Sequence, residues 1–432
     1  MTLNTTANAL AATPAATAPI RPLRVLVAGY RSHPYVGGQG VYIRELTTAL
    51  KALGHDVSVA SGPPFPQLDP GIRLIELPSL DLFAESNAFL ALRPQHLMNW
   101  ADLSEWMAHN SGAFGELNAF ALRLERYLLD HGDDFDVIHD NQTLMPPFAR
   151  INKQIPVVAT IHHPIAVDRE FAIAAGQRWW EKLLSHRWYN FVDVQARMTR
   201  KMPRLLAVSE SARHSHVEHY RVDADKIRVA FNGIDHAVFH PDAETTREPG
   251  LIVTTASADA PIKGLDLLIK ALAEIVPDRP NLRLHIIGQL RDGPSKRALE
   301  ALGLRDRVTT SSGLSRAEIA QLYRRANVVA CPARFEGFGF PAAEAMACGA
   351  AVCTSDGGAL PEVVGDCGLV SPVEDTRALA ANIASLIDDP EKAEALGATA
   401  HQRALAAFNW EDHALAASQL YMDALAERGT VS

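Results

Sequence analysis

Short apolar runs alternate along most of the chain with longer stretches in which apolar residues recur every three or four positions. The runs at 25–28, 57–60, 137–139, 157–161 and 205–208 predict strands. The stretch after residue 40 sets Tyr42, Leu46, Ala49, Leu50 and Leu53 at helical spacing. Such alternation predicts parallel sheets joined by crossover helices. A polar stretch at 241–250 interrupts the pattern and reads as a linker. The pattern then restarts, with strand candidates at 251–255, 283–287, 308–310, 327–331 and 351–354. We expect an α/β chain with an N-terminal domain at 21–240, a C-terminal domain at 250–405 and a helical end at 406–432. Ligands of doubly wound sheets bind beyond the carboxyl ends of the strands, so two such sheets would face one another across a cleft.

Composition supports this picture. At 432 residues the chain exceeds the size at which a single core keeps growing, and its hydrophobic share of 47% suits globular folding. A net charge of −9 argues against an extended nucleic-acid surface, because phosphate backbones demand clustered Lys and Arg. The four cysteines, Cys331, Cys348, Cys353 and Cys367, show no C-x-x-C pairing and read as reduced, packed thiols. Residues 1–20 are rich in Ala, Thr and Pro, lack the basic start and apolar core of a signal peptide, and read as a disordered tail. No run approaches the ~20 consecutive apolar residues that span a bilayer. A cytoplasmic protein is expected.

The most informative segment runs from Glu336 to Gly349. It sets two carboxylates, Glu336 and Glu344, eight residues apart across a turn and a helix start. Gly337 and Gly339 let the loop approach a ligand without Cβ interference. Pro341 suits the first helical position, which places Glu344 in the first turn, and Gly349 suits the cap at the far end. Free N–H groups beside a positive helix end suit a pyrophosphate, and the flanking carboxylates can accept from sugar hydroxyls. The plain structural reading of the same residues is a surface loop followed by an Ala-rich core helix.

Further motifs accompany it in order. Gly37-Gly38-Gln39-Gly40 follows the first strand, and Thr160-Ile161-His162-His163-Pro164 closes another. Ala207-Val208-Ser209-Glu210-Ser211, Asn232-Gly233-Ile234-Asp235, Lys263-Gly264 and Phe408-Asn409-Trp410-Glu411-Asp412 come after. Together, over roughly residues 24–421, these resemble the family 4 glycosyltransferases, retaining enzymes of the GT-B fold with two facing Rossmann-like domains and an interdomain cleft.

The resemblance implies roles. Gly37 and Gly38 would neighbour the donor diphosphate, at a helix start where backbone can approach phosphate. His162 would stand beside the donor sugar, with adjacent His163 as the alternative. Glu336 would contact sugar hydroxyls near the reacting carbon, Phe338 and Gly339 would offer backbone N–H groups, and Glu344 would take the ribose hydroxyls. Lys263 would grip the diphosphate. Family members commonly carry a Gly-Arg pair where this chain has Ala256-Ser257, so Ser257 leaves one diphosphate cation missing, and Arg334 is a candidate replacement. No metal or other cofactor is expected. Asp134-Phe135-Asp136 spells the D-x-D by which other glycosyltransferases hold a metal, but it precedes a strand and reads as a solvated turn. The segment after residue 406 would cross back to the acceptor-side first domain.

For the acceptor, residues 178–204 mix Trp179, Trp180, Trp188, Tyr189 and Phe191 with seven Lys and Arg. That mixture suits an anionic bilayer surface, and equally suits helices packed on the first domain. The expected activity is transfer of a hexose from a UDP- or GDP-linked donor to a membrane lipid or cell-envelope glycan, peripheral on the inner face of the membrane. The alternatives are a soluble sugar-phosphate or inositol-phosphate acceptor, and a catalytically impaired sugar-nucleotide-binding partner subunit.

Overall fold

The computed structural model describes residues 21–33, 38–84, 87–256 and 260–429. Gly37, Ser257 and the expected tail at 1–20 lie outside the described residues.

Strands β1 (Arg24–Gly29), β2 (Asp56–Ser61), β3 (Arg73–Glu76), β4 (Val137–Asn141), β5 (Val157–Ile161), β6 (Arg204–Ala207) and β7 (Ile227–Val229) form one parallel sheet, in the order β3-β2-β1-β4-β5-β6-β7. Strands β8 (Leu251–Ala256), β9 (Arg283–Gly288), β10 (Val308–Ser311), β11 (Val328–Cys331), β12 (Val352–Ser355) and β13 (Leu369–Ser371) form a second, in the order β10-β9-β8-β11-β12-β13. Each order reverses beside its first strand, between β1 and β4 and between β8 and β11, which are the switch points where such sheets bind ligands. Val25 registers with Val57 on one side and Val137 on the other. Helices cover both faces, so β4 and β5 are buried at every residue, although β4 carries the polar His139, Asp140 and Asn141 and β5 carries Thr160. The three strands that the pattern did not predict, β3, β7 and β13, are short sheet edges, partly exposed and too brief to show a period.

The helix Gly38–Ala52 buries Tyr42, Ile43, Leu46 and Leu50 between the first sheet and the C-terminal helix Trp410–Ala426. That last helix docks through polar groups as well as apolar ones. Its His413 donates from Nδ1 to the carbonyls of Ala230 and Phe231, at 3.2 and 3.0 Å. Nε2 of His413 therefore accepts from the Tyr42 hydroxyl at 2.9 Å. Tyr421 lies 2.6 Å from Nδ1 of His139, and Ser418 lies 2.9 Å from Nε2 of His55. Chain that has left the second lobe thus completes the core of the first. Among the described residues no helix is long and apolar enough to cross a membrane.

The aromatic-basic segment divides. Trp188 and Phe191 pack around Phe114, whereas Trp179 and Trp180, in the helix Trp179–Trp188, are 74% and 41% exposed. In the Asp134-Phe135-Asp136 turn, Phe135 is buried, Asp136 pairs with Arg24 at 2.8 Å and Asp134 lies 3.5 Å from His131. Among the described residues no three His, Cys, Asp or Glu are grouped to hold a metal ion.

Candidate functional site

The Glu336 loop enters the helix Phe340–Ala347 through Gly339, whose φ of 101° is a conformation that glycine adopts without strain. Phe340 is therefore the first helical residue and Pro341 the second, and Glu344 lies beyond the first turn rather than in it. Proline fits anywhere that the N–H would go unpaired, so its position alone did not fix the start. Gly349, at φ 71°, ends the helix: its N–H donates to Met346 O and that of Ala350 to Ala345 O, both at 2.9 Å. No hydrogen bond among the described residues uses the N–H of Phe338 or Gly339. The Phe338 ring is buried among Phe231, Phe340 and Phe408, which sets the loop's path.

Lys263 reaches the same loop from the opposite side. It ends a short turn, and Gly264 behind it passes so close to the Pro332 carbonyl that a Cβ would lie 2.0 Å from the oxygen. Nζ of Lys263 donates to Oε1 of Glu336 at 2.5 Å, in a narrow cleft also lined by Thr255, Cys331, Gly339 and Leu360. Burial pushes the Lys263 pKa down, but the Glu336 carboxylate more than offsets this and the net shift is upward. Arg334 does not supply the missing cation. Its guanidinium forks onto Asp266 at 2.9 and 3.1 Å and donates to Glu374 at 2.5 Å, so its charge is spent bracing the loop from behind.

Glu344 lies deeper. Burial raises its carboxyl to about 8, against the pull of nearby Arg316 and a hydrogen bond from Tyr323. Tyr323 is held in turn by Thr255, 3.0 Å away. Arg316 belongs to the second lobe but donates to Glu45 of the first at 2.5 Å, and lies 3.2 Å from Asp235.

His162 follows β5. Its Nε2 lies 2.7 Å from Oδ1 of Asn141, and its ring meets Tyr42 edge-on at 4.8 Å. Burial, reinforced by neighbouring histidines, lowers its pKa to about 3, so the ring is neutral. His163 turns aside to Asp168, 2.7 Å away. The two lobes meet here. A Cβ on Gly337 would lie 2.3 Å from the His162 carbonyl oxygen, and the Ser209 hydroxyl donates to the Gly337 carbonyl at 2.6 Å. A Cβ on Gly38, at the start of its helix, would lie 3.5 Å from the Phe340 ring. The described candidates therefore converge: His162 and Gly38 from the first lobe meet the loop bearing Glu336, Phe338 and Gly339, which Lys263 braces, with Glu344 one helical turn farther on.

Residues 36–238 match the model of Glycosyltransferase Family 4, and residues 239–403 match that of Glycosyl transferases group 1. The MMP alpha-(1->4)-mannosyltransferase of Mycolicibacterium hassiacum is 41% identical over 411 residues, covering 94% of this chain and 99% of its own. The chain belongs to the family 4 glycosyltransferases. A D-inositol 3-phosphate glycosyltransferase of Thermobispora bispora is 27% identical, with 90% of each chain covered. Among solved structures, a sucrose-phosphate synthase of Thermosynechococcus elongatus superposes with a TM-score of 0.69 at 25% identity, over 94% of this chain and 100% of its own. The protein is a glycosyltransferase with the GT-B architecture, a hexosyltransferase by these likenesses.

Several groups around the glycosyltransferase's cleft had no signal in the sequence. Tyr323 and Arg316 sit in the ordinary amphipathic helix Arg316–Arg325, and Arg316 meets Glu45 across 271 residues of chain. Ser209 was part of a recognised motif, but its bond to the Gly337 carbonyl crosses 128 residues of chain and joins the two lobes. Asn141 and Gln142 follow the predicted strand 137–139 and belong to none of the recognised motifs.

Proposed function

We propose that this glycosyltransferase moves a mannosyl group from a nucleotide-linked donor to a sugar hydroxyl of a lipid-linked or cell-envelope glycan, retaining the anomeric configuration and using no metal. The observation that carries the reading is the Lys263–Glu336 pair, placed by Gly337 against the backbone of His162 with Glu344 on the following helix. Mannose as the sugar follows the 41% identical relative, whose name specifies an alpha-(1->4) mannosyl linkage. In this reading Glu344 takes the ribose diol. Lys263 and the N–H groups of Phe338 and Gly339 meet the diphosphate charge, aided by the start of the helix Gly38–Ala52. Glu336 and His162 orient the sugar. A carboxylate already engaged by Lys263 suits holding a hydroxyl better than attacking carbon. The departing phosphate then takes the acceptor proton on the face from which it leaves. The exposed Trp179 and Trp180, with Arg178 over the Trp180 ring, favour a peripheral contact with anionic lipid near the acceptor. A phosphorylated soluble sugar is the competing acceptor, motivated by the inositol-phosphate relative.

The test is nucleotide release from a panel of UDP-, GDP- and ADP-sugars, with glycan, lipid-extract or sugar-phosphate acceptors, beside Glu336→Ala. Release from one mannosyl donor that requires the glycan or lipid fraction, and falls at least ~10²-fold in the variant, is expected. Release that depends on a sugar phosphate instead selects the competing acceptor. Release undiminished in Glu336→Ala rejects the site.

A further inference from the structure

His162 is held less by its own loop than by the segment that follows β4. Asn141 presents Oδ1 to the imidazole at 2.7 Å, so Nε2 carries the ring proton and Nδ1 is the basic nitrogen. The side chain of Gln142 lies against the loop like a second peptide group. Its Oε1 accepts from the His162 N–H, and its Nε2 donates to the His163 carbonyl, both at 2.5 Å. Behind this, Gln195 donates to the carbonyls of Gln142 and Thr143 at 3.0 and 3.4 Å. Asp140 accepts the N–H groups of Thr143 and Leu144 at 3.1 and 2.7 Å.

The segment keeps these contacts at a cost. Gln142 and Leu144 hold φ of 54° and 50°, a region that favours glycine. Nδ2 of fully buried Asn141 has no hydrogen-bond partner among the described residues. An apolar residue at 141 would carry no such unpaired group. Strain and an orphaned amide at the carboxyl end of a central strand, both directed to one histidine, mark a constraint that stability alone does not explain.

We propose that Asn141 and Gln142 are positioning residues for transfer. Asn141 fixes the tautomer and rotation of the His162 ring, and Gln142 fixes its backbone, so that Nδ1 alone is offered as an acceptor to a sugar hydroxyl. This rests on the reading of His162 as a site residue. The groups around the ring are His163, held by Asp168 of the helix Ile165–Ala175, His139 from β4, Tyr42 from the helix Gly38–Ala52, His413 from the C-terminal helix and His216 from the helix Glu210–Tyr220. From the other lobe, Gly337, next to Glu336, packs against the His162 carbonyl.

Asn141→Leu keeps the size and removes the acceptor. Asn141→Asp keeps the acceptor and the shape, adds a charge beside Nε2–H, and serves if the leucine variant does not fold. Nitrogen-15 NMR of the histidine-labelled full chain, with His162→Gln to assign the signal, should show one neutral tautomer protonated at Nε2. A mixture is expected in Asn141→Leu. In Asn141→Asp the imidazolium should persist at least one pH unit higher. In transfer assays with the mannosyl donor, kcat should fall at least ten-fold in Asn141→Leu with KM within two-fold, and the acid limb should move up by a similar unit in Asn141→Asp. An unchanged tautomer, an unmoved imidazolium or a kcat within two-fold of the native value overturns the proposal. Turnover that survives Glu336→Gln overturns instead the reading of the site, and the tautomer measurement still decides the role of Asn141.

Discussion

Glu344 and Glu336 are spaced as a pair in the sequence but differ in the folded protein. Glu336 has a cation at 2.5 Å. Glu344 is pushed up to about 8 by burial, with only the more distant pull of Arg316 and one Tyr323 hydrogen bond in opposition. Ribose hydroxyls donating to the Glu344 carboxylate would stabilise its charged form, so proton and nucleotide compete for it. Affinity for the free nucleoside diphosphate should therefore rise roughly ten-fold for each pH unit from ~6.5 up to ~8 and then level off. Glu344→Gln should abolish that slope and weaken binding by ~10-fold or more above pH 8, about the value of a hydrogen bond to a charged group. Calorimetric titration across this range checks both. The spacing of the carboxylates was legible from the sequence. The difference in their protonation was not, because it depends on Tyr323 and Arg316, which reach Glu344 only through the fold.

Among elements, the decisive contacts are those between loops of different lobes. Gly337 was identified as a residue that allows close approach, and the structure shows that what approaches is the backbone of His162. The Glu362 carboxylate accepts from the N–H groups of Glu210 and Ser211, at 2.9 and 2.8 Å, so the second lobe caps the first helical turn after Ser209. Gly337→Ala would drive a methyl into the His162 carbonyl and spread this contact. Transfer should drop ~10²-fold, as a misplacement of about 1 Å can. The thermal unfolding midpoint should stay within ~3 °C, because neither core is touched. Transfer kinetics beside calorimetry test this, and an unimpaired variant would show that the lobes do not need this contact. The central strands were legible from short apolar runs such as 25–28 and 57–60, which both faces of the sheet bury. The edges β3, β7 and β13 were not, because edge pairing needs backbone partners more than apolar side chains.

For the molecule as a whole, the buried titratable groups set the response to acid. Burial holds His139, His162 and His216 down to about 3 and His413 down to about 4, against ~6.5 in the unfolded chain. Below ~6.5 the unfolded chain binds protons that the folded chain refuses. Each histidine then withdraws about 1.4 kcal/mol of stability per pH unit until its folded pKa is reached. Asp140 and Glu116, raised to about 7, and Glu344, raised to about 8, act in the opposite sense. They bind protons in the folded chain that unfolded carboxylates release above ~4.5. With four such histidines against three such carboxylates, stability should fall by about 1.4 kcal/mol per pH unit between pH ~6.5 and ~4.5 and more steeply below, where the carboxylates no longer oppose the histidines. Urea unfolding at stepped pH measures this, and His139→Gln should make the acid limb shallower by one proton.

The alternation of central strands with helices and the eight-residue spacing of Glu336 and Glu344 are properties of the sequence itself. Each depends on local periodicity or on residue types at short spacing. The role of Arg334 was beyond such reading, as were the clamp of Asn141 and Gln142 on His162 and the link from Arg316 to Glu45. A guanidinium or an amide serves whichever acceptor the fold brings within ~3 Å, and strands distant in sequence choose that neighbour.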